Sequence, residues 1–149
     1  QDVVSMAHLL HRALDVHKTP LECAQSEDVY SVGRVYERRG RDDEARMCYR
    51  AADQGAVSAL ARYRLAESYR KAGDWAHARE VLENMARSQQ GGADTYVALA
   101  KVYEHRLRDY AAAMNCTRRA MILAVEYGGD LKALQKRYER LTEKAGRTR

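Results

Sequence analysis

The stretch Val32-Gly33-Arg34-Val35-Tyr36-Glu37-Arg38-Arg39-Gly40-Arg41-Asp42-Asp43-Glu44-Ala45-Arg46-Met47-Cys48-Tyr49-Arg50-Ala51-Ala52 decides how this chain folds. Its small and apolar residues fall at Val32, Gly33 and Tyr36 and then, beyond Gly40, at Ala45, Cys48, Tyr49 and Ala52. Each set keeps to one face of an α-helix, and Gly40 stands where a helix C-terminus favours glycine. The stretch therefore reads as two short amphipathic helices joined by a tight turn. The pattern then returns as Leu65-Ala66-x-x-Tyr69-x-x-x-Gly73-x-x-x-x-Ala78-x-x-x-Leu82-x-x-Met85. A third copy runs Leu99-Ala100-x-x-Tyr103, followed by Ala113, Thr117 and Ala120. Tyr36, Tyr69 and Tyr103 are 33 and 34 residues apart, and self-similarity at a fixed period of this length marks a repeat architecture.

Punctuation along the rest of the chain agrees. Gly40, Gly55, Gly73, Gly91-Gly92, Gly128-Gly129 and Gly146 each follow an apolar-periodic stretch, as residues just past a helix end do. Asp2, Ser26, Asp42, Ser58, Asp74, Asp94, Asp109 and Asp130 are candidate N-caps, whose side-chain oxygens can accept from unpaired N–H groups. Thr19-Pro20-Leu21-Glu22 is a capping box with proline in the first helical position. Helices are predicted at 3–16, 27–39, 43–54, 58–72, 75–87, 95–106, 110–127 and 131–145. The third copy has one residue more between Tyr103 and Asp109 than separates Tyr69 from Asp74, and Leu107 stands near where glycine is expected. A longer turn is predicted there.

Composition points the same way. Of the 149 residues 24 are alanine, one is proline and none is phenylalanine, which favours helix over sheet. With 46% hydrophobic residues at helical spacing the chain is not a disordered one. Its mean hydropathy of -0.66 goes with the absence of any apolar run near the roughly 20 residues of a membrane helix. Cys23, Cys48 and Cys116 are odd in number, far apart and in no CxxC pattern, which suits a reducing, cytoplasmic setting. The chain opens Gln1-Asp2-Val3, with neither an initiator Met nor a signal peptide, so the reading expects a piece of a longer polypeptide. The net charge of +5 is unevenly placed: residues 1–130 carry 19 Lys/Arg against 19 Asp/Glu, and residues 131–149 carry seven basic groups against Glu139 and Glu143.

The repeat unit resembles the tetratricopeptide repeat, a 34-residue helix–turn–helix. The resemblance implies an all-α, right-handed solenoid of about three such units at 26–127. It would be flanked by an N-terminal helix and linker at 1–25 and a basic C-terminal capping helix at 128–149. The small residues Gly33, Ala66 and Ala100, and Ala45, Ala78 and Ala113, would let the two helices of a unit approach closely, with Tyr and Leu filling the seams. In the last helix Leu131, Leu134, Tyr138 and Leu141 form one stripe, with Lys132, Lys136, Arg137, Arg140 and Lys144 elsewhere, the pattern of a solvating cap.

In that family the first helix of each unit lines a concave, peptide-holding groove. Carried over, the resemblance implies a groove of Tyr30, Ser31, Arg34, Glu37 and Arg38, then Tyr63, Arg64, Glu67, Arg70 and Lys71, then Val97, Ala98, Lys101, Glu104 and His105. Basic groups with tyrosines among them suit an acidic peptide, a phosphate or a nucleic-acid backbone. The same residues also read as a solvated helical face with ion pairs such as Glu67–Lys71. Asn84 and Asn115 fall on second helices, so the Lys/Arg/Asn clamp by which chaperone-docking repeats hold a C-terminal carboxylate is not expected.

Chemistry-bearing motifs are sparse. His8 and His11 lie at i, i+3 with His17 following, but no further ligand stands at metal spacing, and the reading expects no metal and no cofactor. No phosphate loop, nucleophile elbow or HExxH motif occurs, so this chain by itself reads as a binding module rather than an enzyme. The opening Asp2-Val3-Val4-Ser5-Met6-Ala7-His8-Leu9-Leu10 resembles the last helix of an RNase H-like, DEDD-type 3′–5′ exonuclease. Bacterial proteins of that kind continue into tetratricopeptide helices, and Ala100-Lys101-Val102-Tyr103-Glu104-His105-Arg106-Leu107-Arg108-Asp109-Tyr110 is similar to their third repeat. The resemblance implies that Asp2 would be the last catalytic carboxylate of an upstream nuclease domain; its other role is a helix N-cap. Three expectations follow for function: a protein or peptide scaffold, whose partner could be its own upstream domain; a nucleic-acid-binding accessory; or self-association through the first helix.

Overall fold

A computed structural model describes Met6, Lys18, Thr19 and residues 25–147. The helix expected at 3–16, the cap at Asp2, the histidines His8, His11 and His17, Cys23 and most of the Thr19–Glu22 box lie outside the described residues. Everything described is helix or turn, with no strand among the described residues. In chain order the helices are α1 (Ser26–Arg38), α2 (Asp42–Ala51), α3 (Ser58–Lys71), α4 (Trp75–Arg87), α5 (Gly92–Val102), α6 (Tyr110–Tyr127) and α7 (Leu131–Arg147). A 3-10 turn occupies Gly55–Val57, and a π-helical turn, Tyr103–Leu107, continues α5. The chain forms two compact units, 1–68 and 69–149, divided within α3.

In the first unit α1 packs on α2. Val29, Val32 and Tyr36 are buried against Ala45, Cys48, Tyr49 and Ala52. The approach needs glycine at 33: a Cβ there would lie 2.8 Å from the Tyr49 ring and 3.0 Å from the Cys48 Cβ. In the second unit α5 packs on α4 and α6, and α6 on α7. Ala78, Ala98, Ala100, Ala113 and Ala120 are buried, as are Leu82, Met85, Leu99, Val102 and Leu141. The alanines thus stand at the contacts, where a larger side chain would be an overpacked one.

The same backbone bond closes the turn after each of the three tyrosines. The Arg41 N–H donates to the Tyr36 carbonyl at 3.0 Å and the Asp74 N–H to the Tyr69 carbonyl at 2.9 Å. The Asp109 N–H donates to the Tyr103 carbonyl at 3.1 Å across one more residue. The extra residue predicted to lengthen the turn is taken up by the π turn. Arg108, with φ of 52°, occupies the left-handed position that Gly40 and Gly73 hold elsewhere.

Several boundaries depart from the expectation. Asp74, Asp109 and Asp130 accept from the N–H groups of His77, Ala112 and Ala133, as N-caps do. Asp42, however, is the first residue of α2 and Asp94 sits in the first turn of α5, where their charges meet the positive end of the helix dipole instead. Ser26 opens α1 behind Gln25, which makes no side-chain cap bond. The Ser58 hydroxyl donates to Asp53, which also accepts from Arg62. The helix expected to reach 54 stops at Ala51, and the one expected from 95 starts at Gly92. Gln89 takes the left-handed position just after α4, where the Gln90 N–H closes back on the Met85 carbonyl, while Gly91, also left-handed, stands at the start of α5. Gly146 does not end the last helix, which runs through it to Arg147.

Candidate functional site

The expected groove residues separate into two sets, one in each unit. In the first, Arg34 and Arg64 converge on Glu37, whose side chain is only 10% exposed, and Tyr30 lies beside Arg34. The Arg34 Nε lies 3.5 Å from Glu37 Oε2 and an Arg64 Nη 3.8 Å from Oε1. Tyr49 donates its hydroxyl to Glu37 Oε2 at 2.6 Å, and its ring lies 5.8 Å from that of Tyr30. A side-chain hydrogen bond to Tyr30 raises the pKa of Arg34, and burial followed by the Glu37 bond raises that of Tyr49. The result is a partly exposed patch of two guanidinium groups and a tyrosine, fixed from below by one carboxylate. Tyr63 and Glu67 are partly buried on the neighbouring α3, and Arg38 is exposed in the last turn of α1.

The second unit carries the other expected residues. Arg70 is half-buried and Lys71 exposed at the end of α3; Lys101 and His105 are exposed along α5 and its π turn. His105 Nε2 stands 3.5 Å from Glu104 Oε2. Glu104 itself is the most constrained charged group here, because its side chain is fully buried. Three cations of α7 close on it: Arg137 and Arg140 at 2.8 and 3.1 Å from Oε2, and Lys144 at 2.8 Å from Oε1. Burial pushes the Glu104 pKa up, but the bonds from Lys144 and Arg140 and the charge of His105 outweigh it and hold the carboxyl below its usual range. Burial lowers the pKa of Arg137 despite the carboxylate beside it.

This overturns part of the reading of the last helix. Leu134 and Leu141 are buried and Tyr138 is half-buried. Arg137, Arg140 and Lys144 are not merely solvated, because they sit on one face at i, i+3, i+7 and turn to Glu104. The sequence held no distinct signal for this, because basic residues at the edge of an apolar stripe ordinarily reach out to solvent.

No other chemistry gathers strongly. Among the described residues no group of three His, Cys, Asp or Glu is placed to hold a metal ion. Cys48 is buried. Burial, with the nearby charges of Glu83 and Asp109, pushes the Cys116 thiol up to about 11, the opposite of an activated nucleophile. A shallow cavity of about 380 Å³ opens between the start of α5, the end of α6 and the start of α7, lined mainly by Gly, Ala, Val and Leu with Tyr127 at its rim. Asp2 lies outside the described residues. No helix among the described residues is long and apolar enough to cross a membrane.

No protein-family model matches the chain, and no curated protein matches it. Among solved structures the chain is similar to BtubC (BKLC) from P. vanneervenii, at 18% identity over 97% of this chain and 70% of that one, with a TM-score of 0.66. At that identity the likeness bears on the fold alone.

Proposed function

We propose that this chain is a tetratricopeptide-type scaffold, a right-handed array of helical repeats that binds a peptide or protein domain through the exposed face of its first helices. The observation that carries the reading is the recurrence after Tyr36, Tyr69 and Tyr103 of one backbone bond to the next helix's cap. Buried small residues at Gly33, Ala66 and Ala100 support it, as does the burial of Ala45, Ala78 and Ala113. Each unit then holds its first helix close to its second and leaves one face of the first helix for a ligand. The patch formed by Tyr30, Arg34 and Arg64 is the part of that face best suited to grip one. Its guanidinium groups stand 3.5 and 3.8 Å from the Glu37 carboxylate, whose charge draws both to one place. The role is one of binding rather than catalysis.

A displayed peptide library selected against the protein tests this. Enriched peptides should bind with a shallow salt dependence, and Arg34→Glu with Arg64→Glu should weaken them by about tenfold or more at unchanged helicity. Binding that is indifferent to this double charge reversal would sink the reading. Preferential binding of a single-stranded oligonucleotide, with log K falling steeply against log salt, would instead favour a nucleic-acid accessory.

A further inference from the structure

Two turns of the second unit carry glycine pairs where side chains would otherwise fill the corners. Gly91-Gly92 stand at the start of α5 and Gly128-Gly129 between α6 and α7, and a Cβ added at Gly92 or Gly128 would meet nothing within 4 Å. Between these corners opens the cavity of about 380 Å³, floored by Ala93, Val97, Leu123, Ala124, Ala133 and Leu134. Ala124 and Leu134 belong to the buried cluster beneath it. A second cavity of about 310 Å³ shares Gly92, Leu123 and Tyr127 with the first, so the two make one trough with Tyr127 standing at their junction. Its ends differ in charge: Asp94 and Asp130 line the wider cavity and Arg119 the narrower one. Asp130 gives one oxygen to the Ala133 N–H at the start of α7. Arg119 and Asp94 pair with no described residue, whereas the adjacent Arg118 donates to Asn115 and to the Tyr138 hydroxyl. Glu126 and Lys132 are close in sequence but line neither cavity. The Tyr127 hydroxyl bonds to Glu126, which leaves the ring, 76% exposed with its side chain, as what Tyr127 offers to a ligand. Ile122, also exposed, stands about 60° round α6 from Arg119.

We propose that this trough holds an extended segment of a protein partner: a large apolar side chain lies against Leu123 and the Tyr127 ring, an acidic side chain reaches Arg119, and a basic one reaches Asp94 and Asp130. Charge complementarity selects this occupant. Opposite charges at the two ends of an apolar floor suit a chain that carries both signs, and they disfavour a uniformly charged polymer such as nucleic acid. The unpaired guanidinium of Arg119 is free to take a carboxylate with charge-assisted bonds, and an exposed tyrosine is a common anchor in protein interfaces. A small molecule fits worse, because small-molecule sites cover most of their ligand and this trough is shallow. A segment that reaches Arg119 covers Ile122 as well, which adds apolar surface outside the cavities. The site uses no residue of the Tyr30–Arg34–Arg64 patch, so it stands or falls separately from the scaffold reading.

Two capped peptides, Glu-Ser-Leu-Ser-Lys and its reversal Lys-Ser-Leu-Ser-Glu, are the probes, titrated to millimolar concentration into the isotopically labelled full chain. At least one order should shift the Gly92, Leu123 and Tyr127 resonances before any others. Failure of both orders, or first shifts elsewhere, would overturn the proposal. Replacing the peptide leucine by serine should abolish the shifts; undiminished binding of the serine peptide would overturn it too, since charge alone would then explain binding. Arg119 is exposed, so Arg119→Glu should leave the fold intact and weaken the better peptide by about fivefold or more. A peptide with lysine in place of its glutamate should recover most of that loss on the Arg119→Glu chain; no recovery would mean that Arg119 does not face the ligand. Arg34→Glu with Arg64→Glu should change binding by less than about twofold, which separates failure here from failure of the scaffold reading. A concentration-dependent dimer in sedimentation that is lost in Tyr127→Ser would make a second copy of this chain the occupant and overturn the choice of partner.

Discussion

Replacing Glu104 by glutamine keeps the volume of the side chain and removes the charge on which three cations converge. The cost can be built from the exposure of each partner. Arg137 is largely buried and bonded at 2.8 Å, and a hydrogen bond between charged groups in such a setting contributes about 1.5–3 kcal/mol. Arg140 and Lys144 are more than a third exposed, so screening reduces each to about 0.2–1 kcal/mol. Glutamine retains one acceptor oxygen and recovers part of the first term, so the net loss is about 2–3 kcal/mol. Urea denaturation followed by circular dichroism measures it, and a double-mutant cycle with Arg137→Met should return most of it as coupling. The pH dependence gives a second check. A carboxylate whose folded pKa is depressed stabilises fully above its unfolded value, roughly 4.3, and loses that contribution as pH falls through the lower folded value. The unaltered protein should therefore lose stability more steeply than Glu104→Gln on acidification below about pH 4.5. A loss under about 0.5 kcal/mol, with no coupling to Arg137, would refute the argument that this cluster ties α7 to the π turn.

Other outcomes are as definite. Gly33→Val should destabilise the first unit by about 2 kcal/mol, because the added atoms meet the buried Tyr49 ring that Glu37 holds in place; a neutral result in thermal melts would mean that α1 and α2 are not so close. Arg108→Val should cost about 1–2 kcal/mol, since a β-branched residue is ill suited to the left-handed backbone at that position, while Arg108→Gly should be tolerated. In a Cys23→Ser, Cys48→Ser background, Cys116 should react with a thiol-specific disulfide reagent far more slowly at pH 8 than a free cysteine does, and its rate should climb by about tenfold per pH unit and level off only near about 11. Labelling at the rate of an exposed thiol would contradict the burial.

What could be read in advance follows from what sequence encodes. Small residues at Gly33, Ala45, Ala78 and Ala100 announce close helix contacts, because only they fit there, and the structure buries all four. The capping roles of Asp74, Asp109 and Asp130 are equally local and were legible. Asp42, Asp94 and Ser58 share that chemistry but lie inside their helices, behind Arg41, Gly91 and the 3-10 turn at Gly55–Val57. The partnership of Glu104 with residues 33 to 40 places along the chain could not be read from periodicity, which assigns a residue to a face but not that face to a neighbour. For the same reason Tyr49 reads as core alone, although its hydroxyl also positions the Glu37 beside Arg34 and Arg64. Leu134 and Tyr138 repeat Leu99 and Tyr103 at 35 residues, an echo easily hidden by the added residue between the third pair of helices.

That added residue has a consequence for how such chains tolerate change in length. In an unbroken α-helix one inserted residue rotates all that follows by about 100°, which would turn a buried face toward solvent. The wide turn at Tyr103–Leu107 works as a slip joint: the surplus is absorbed where α5 ends, and Asp109 still caps α6 with its small residues inward. Angular phase is thus set afresh at each tyrosine-to-cap bond and not carried along the chain. A one-residue gain or loss at these joints should leave the packing on either side in register, while the same change five residues into α6 should not.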